Sequence, residues 1–252
     1  MKRIKFLAFF IILILVAVFF ILNIKTTTRQ GINYNVRTLK IPLYLKVLDF
    51  YDRHYNYKWL THRITEGKIS EKEKVMAIFK WTVENIAKQP PELKTVDDHV
   101  WHIIIRGYGT GDQFSDVFTT LCNYVGIDAF FFRLRNKDKT SLITFSFVKI
   151  AHKWYVFEPR NGIYFTKTDG SFASVEDIAE GNWTIRGIRE DFNEKKVKYS
   201  DYFSEILSID FERTHKWSRA NIQSPINRFF YGVFKRYFIK IPNSILFPNY
   251  YI

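Results

Sequence analysis

Residues 6–22 form an unbroken apolar run, which after Asn23 closes with Ile24. At about 1.5 Å per residue such a run makes a helix of roughly 28 Å. That matches a hydrocarbon core of about 30 Å. No charge falls inside it. A secretory signal has a shorter apolar region and a small-residue cleavage site, whereas residues 23–28 (Asn-Ile-Lys-Thr-Thr-Thr) carry no Ala-x-Ala pattern. The pattern predicts an uncleaved membrane anchor over 1–25. Lys2, Arg3 and Lys5 on one side outnumber Lys25 and Arg29 on the other. The positive-inside rule then places the N-terminus in the cytoplasm and the body outside it, as for a single-pass protein of a bacterial inner membrane.

Beyond the anchor, residues 26–41 read as a polar tether. From Pro42 to about Ile64 the positions Leu45, Leu48, Tyr51, Tyr55 and Trp59 recur at helical spacing, stopped by Gly67. Ser70 and Glu73 make a capping box for a helix that turns Val75, Phe79, Val83 and Ile86 to one side, and Pro90-Pro91 forbids its continuation. A loop over 95–99 leads to Arg106-Gly107-Tyr108-Gly109-Thr110-Gly111. The next helix starts at about Asp112, carries Phe114, Val117, Phe118, Leu121 and Val125 inward, and ends at Gly126. Residues 129–134, 142–150 and 153–157 read as strands, the last two joined by a tight turn at Ala151-His152. A short helix covers 174–180, and 182–210 shows a mixed pattern.

The chain has 38 Lys and Arg against 25 Asp and Glu, a net charge of +13. Four of the bases flank the apolar run, so the body keeps a positive surplus. On a tethered, exported body this points to lipid headgroups or acidic glycans rather than nucleic acid. Cys122 is the only cysteine, so no intramolecular disulfide can form. An aromatic content of 18% supplies a core large enough to do without one.

Three pieces stand in a telling order: Gly109-Thr110-Gly111-Asp112-Gln113-Phe114, then Gly126-Ile127-Asp128-Ala129, then Lys153-Trp154-Tyr155-Val156-Phe157-Glu158-Pro159. Together they resemble the core of the transglutaminase-like superfamily, of papain-related fold, over about Glu73 to Pro159. The resemblance implies an α+β fold with helices packed on an antiparallel sheet, and the pattern along the chain sets the domain at 42–210 with a basic aromatic C-terminal extension over 211–252. The resemblance also implies a cysteine nucleophile at the start of the central helix, a histidine base on the next strand and an aspartate before proline. In this chain those places fall on Gly111, on or near Ile143, and on Glu158. A glycine forms no thioester and an isoleucine moves no proton. The resemblance thus implies a degenerate, non-catalytic member.

Rescue by other groups is not supported. Cys122 lies three turns into the helix beside Leu121, as a packing residue. His152 sits in the far turn, and Thr110 has no base on the strand. A separate polar set, Asp98, His99, Arg106, Asp112, Gln113 and Asp116, surrounds the glycine-rich loop. These side chains can serve helix ends and turns, or they can line a ligand pocket. A rival enzyme would use Asp98, His99, Asp112 and Glu158 on an envelope polysaccharide or peptide. His99 and His102 have no clear third ligand, so neither a metal nor a cofactor is expected.

Ser224-Pro225 opens a further helix to Ile241, with Phe229, Phe230, Val233, Phe234, Tyr237 and Phe238 on one face and Arg228, Lys235, Arg236 and Lys240 supplying charge. It can lie on an anionic bilayer or pack on the domain. The sequence therefore points to a membrane-held transglutaminase-like protein that binds or organises an envelope glycan, peptide or protein partner. A structural membrane-associated subunit is the remaining alternative.

Overall fold

The computed structural model describes residues 2–30, 37–93, 95, 99–189, 197–228 and 230–231. Helix α1 spans Lys2–Asn23. It is long and apolar enough to cross a membrane, and its large side chains, Phe6 and Phe19 among them, face outward. The stretch expected as a tether instead forms a β-hairpin, β1 (Lys25–Gln30) pairing antiparallel with β2 (Arg37–Pro42). Its threonine-rich first strand favours extended backbone, a propensity that the polar composition concealed.

Helix α2 runs over Leu43–Thr65 and α3 over Glu71–Asn85. The expected capping box opens α3, with Ser70 N donating to Glu73 Oε2 at 2.9 Å and Glu73 N to Ser70 Oγ at 3.2 Å. After α3, Ala87–Lys88 (β3) pairs in parallel with Tyr108–Gly109 (β4). Between them lies α4, Val100–Arg106, a helix in a stretch to which the sequence pattern assigned no element. Seven residues give too short a window for helical periodicity to show. The central helix α5 is Gly111–Tyr124, and Gly126 follows with φ +79°, the left-handed turn that costs glycine least.

Strands β5 (Ala129–Arg135), β6 (Leu142–Ile150), β7 (Lys153–Glu158), β8 (Ile163–Thr166) and β9 (Thr184–Gly187) form one antiparallel meander in chain order. Helix α6 (Val175–Ala179) and α7 (Phe211–Trp217) complete the described helices longer than a single turn, beside the start of a helix at Pro225. There Ser224 Oγ accepts from Asn227 N at 3.3 Å, as a capping serine should. Most of the expected aromatic C-terminal helix, and all of 232–252, lies outside the described residues.

The sheet is buried on both faces because its strands alternate between two cores. Ala129, Val148 and Phe157 turn toward α3 and α5, meeting Phe79, Phe114, Phe118 and Leu121. Phe130, Phe147 and Val156 turn the other way, onto Tyr199, Tyr202, Phe203 and α6. Two covered faces explain why Ala129-Phe130-Phe131-Phe132 reads as a continuous apolar run.

Candidate functional site at the start of the central helix

The loop before α5 is shaped by hydrogen bonds that consume much of its polar content. Gly107, at φ +73°, closes α4. The parallel β3–β4 pair then fixes the chain, with Ala87 N donating to Gly107 O (2.7 Å) and Gln89 N to Gly109 O (2.9 Å). Arg106 donates through Nε to Tyr108 O at 2.9 Å and through Nη2 to Gln113 Oε1 at 3.0 Å. Gln113 Oε1 also accepts from Thr110 N at 3.1 Å. Arg106 and Gln113 thus hold the loop against the first turn of α5. Gly109 is required there by space: a Cβ would stand 2.9 Å from both Gln113 Cβ and Oε1.

Asp112 accepts from Thr110 Oγ1 at 2.5 Å and lies 3.6 Å from Arg133 on β5. A carboxylate in the first turn of a helix is favoured by the helix dipole. Arg160 covers Gly111, its Cδ 3.2 Å from where a Cβ would project. A side chain on residue 111 therefore meets an arginine stem. Three arginines, 106, 133 and 160, surround the start of α5, and two of them had not been singled out from the sequence. Arg160 directly follows the Trp-Tyr-Val-Phe-Glu-Pro segment, and Arg133 shares alternation with Ala129, so adjacency and strand parity were the signals available.

The other two positions that the resemblance assigns lie across the sheet from α5. Ile143 pairs with Leu134 and packs against the second core. Glu158 is 2% exposed, accepting from Tyr199 Oη (3.2 Å) and Asn161 N (3.3 Å). Burial raises its carboxyl to about 7, against the opposing effect of those hydrogen bonds and of Arg160. On the face turned to α5, the residue beside Ile143 is Thr144, opposite Arg133. It carries no basic nitrogen. Cys122 is fully buried in the first core, and burial pushes its thiol up. His152 sits at φ +67° in the exposed β6–β7 turn.

His99 and Asp116 sit in a different place, a seam between α2, α4, α5 and the segment after α7. Asp116, 3% exposed, is 2.7 Å from Arg219 Nε. Arg53 on α2 is buried and ion-paired with Asp49. Tyr57 Oη accepts from Trp101 N at 2.8 Å. Burial, with Arg53, His102 and Arg219 nearby, lowers His99 to about 3 and keeps it neutral. Asp98 lies outside the described residues. His99 thus sits among Arg53, His102 and Arg219, Asp112 beside Thr110 and Arg133, and Glu158 beside Tyr199 and Asn161. Among the described residues no group of three or more His, Cys, Asp or Glu is arranged to hold a metal ion.

Residues 58–159 match the model of the transglutaminase-like superfamily. No curated protein matches the chain. Solved structures with some similarity include a candidate protease from Parabacteroides distasonis (14% identity over 53% of this chain and 35% of that one, TM-score 0.36). A candidate cysteine protease from Cytophaga hutchinsonii matches at 14% identity over 62% of this chain and 61% of its own, TM-score 0.39. A transglutaminase matches at 13% identity over 68% and 48%, TM-score 0.37. The chain thus spans between about a third and three fifths of the length of these structures. The matched segment runs from within α2, through α5, to the proline after Glu158, and over it this chain is similar to the core of the transglutaminase-like superfamily.

Proposed function

We propose that this protein is a membrane-tethered, non-catalytic transglutaminase-like protein that binds or organises a glycan, peptide or protein of a cell envelope. One observation carries the reading: at the head of α5 stands Gly111, with the Arg160 stem 3.2 Å from its would-be Cβ. A thioester needs a thiolate there, and acyl transfer needs a base beside it. The aligned base position is Ile143, and its helix-facing neighbour is Thr144. Neither can take a proton. What remains at the vacated position is a polar surface with Arg106, Arg133 and Arg160 around the dipole-positive end of a helix. Such a surface suits carboxylated sugars or acidic peptides. The outward apolar face of α1 supports the tether.

Binding can be tested with the full chain in detergent micelles, titrated with soluble acidic glycan fragments and acidic peptides. Retention that weakens by roughly tenfold in Arg160→Glu is expected, since reversing one charge at a paired site costs on the order of 1–2 kcal/mol. Binding by neither class, or binding unchanged in Arg160→Glu, overturns the assignment of this surface.

A further inference from the structure

Helix α2 carries a stripe of large apolar and aromatic side chains that stand exposed among the described residues. Tyr44, Leu48, Tyr51, Tyr55 and Trp59 recur at spacings of three and four and so share one face. Their exposures are 38%, 60%, 45%, 64% and 62%. The opposite face is the buried one, holding Arg53, Tyr57 and Thr61. From Tyr44 to Trp59 the stripe extends about 22 Å. Contiguous exposed apolar surface of this kind marks an interaction site.

The stripe's position and chemistry indicate what covers it. The chain leaves α1, makes the β1–β2 hairpin and returns, with Lys25 opposite Pro42 and Leu43 N donating to Ile24 O at 2.9 Å. The first turn of α2 is thereby fixed to the last residue beyond α1. Tyrosine and tryptophan, apolar rings with one polar tip, are the residues that settle at headgroup depth. Between residues 25 and 69 there are nine Lys and Arg against three Asp and Glu, and Lys58 lies exposed within the stripe. Such a surplus attracts anionic headgroups and opposes the approach of a second copy of the same face.

We propose that the outward face of α2 lies on the membrane surface as an interfacial helix, adding a second contact to that of α1. The inference rests on reading α1 as a membrane anchor. It places the start of the matched core, residue 58, beside the headgroups, so that α5 works close to the bilayer.

The test uses the full chain reconstituted into vesicles of phosphatidylcholine and phosphatidylglycerol, some carrying lipid spin-labelled near the headgroup and others spin-labelled deep in the acyl chain. An environment-sensitive fluorophore is attached to single cysteines introduced as Lys58→Cys on α2, Lys80→Cys on the exposed side of α3, and Leu13→Cys in α1. Cys122 is fully buried and takes no label. The label at 58 is expected to lose roughly half its emission to headgroup-level spin label. The label at 80 keeps its emission, and the label at 13 is quenched by the deep lipid. Quenching at 13 without quenching at 58 overturns the α2 contact and leaves the anchor standing. Absence of quenching at 13 overturns the anchor and the α2 contact with it. An emission at 58 that follows protein density instead of spin-labelled lipid shows a second copy on the stripe, and overturns the proposal equally.

Discussion

Glu158 is a single residue whose protonation records the architecture around it. Its carboxyl ionises near 4.5 in an unfolded chain and near 7 when buried beneath Tyr199 and Asn161. Between those values the folded protein holds one proton more than the unfolded one, so stability falls as pH rises through that window and levels off above it. A separation of that size corresponds to about 3 kcal/mol. Glu158→Gln, which keeps the shape without the charge, is expected to raise the unfolding midpoint at pH 8 and change it little at pH 4. Denaturant titration of both proteins at the two values checks the sign. Gly109→Ala acts through space alone: its Cβ enters 2.9 Å contacts with Gln113. A loss of about 2 kcal/mol, on the scale of overpacking, is expected in the same titration. Arg219→Met leaves the Asp116 carboxylate without that guanidinium in a site 3% exposed. It is expected to cost about 3 kcal/mol.

At the scale of elements, the β6–β7 turn shows where local chemistry departs from local need. Ala151 and His152 occupy φ +47° and +67°, the conformation of a two-residue turn that favours Asn-Gly. His152→Gly is expected to stabilise the protein by about 1 kcal/mol, read as a shift in the unfolding midpoint. That hairpin, α3, α5 and the long strands were legible in the sequence, because each has either a capping pair, a terminating glycine or proline, or an apolar run longer than one turn. Strands β8 and β9, of four residues each, were not. They join a sheet whose pairing partners, not their own composition, settle them. The spacing of Leu48, Tyr51, Tyr55 and Trp59 marked α2 correctly as a helix, yet that face is outward. Periodicity gives the period of an amphipathic helix but not the solvent that its apolar side meets.

The same limit applied to the candidate site. Asp112, Arg106 and Gln113 gather at the start of α5, as their closeness in sequence suggested, but Asp116 and His99 face a separate seam with Arg219 and Arg53. Those arginines come from segments far apart in the chain, beyond what spacing can reveal. Arg160 was one residue past the recognised motif. Its place over Gly111 follows only from the β7–β8 turn.

For the whole molecule, residues 58–159 match a transglutaminase-like core, the resemblance assigns the nucleophile and base positions to Gly111 and Ile143, and the first two helices are proposed to meet a membrane. The non-catalytic reading is the central claim. The most direct measurement is turnover of amide, peptide and transamidation substrates by the purified full chain, beside Asp112→Asn and His99→Gln variants of equal stability. The account predicts no turnover above the buffer rate in any of the three. Robust turnover by the unmodified protein that either substitution abolishes contradicts it.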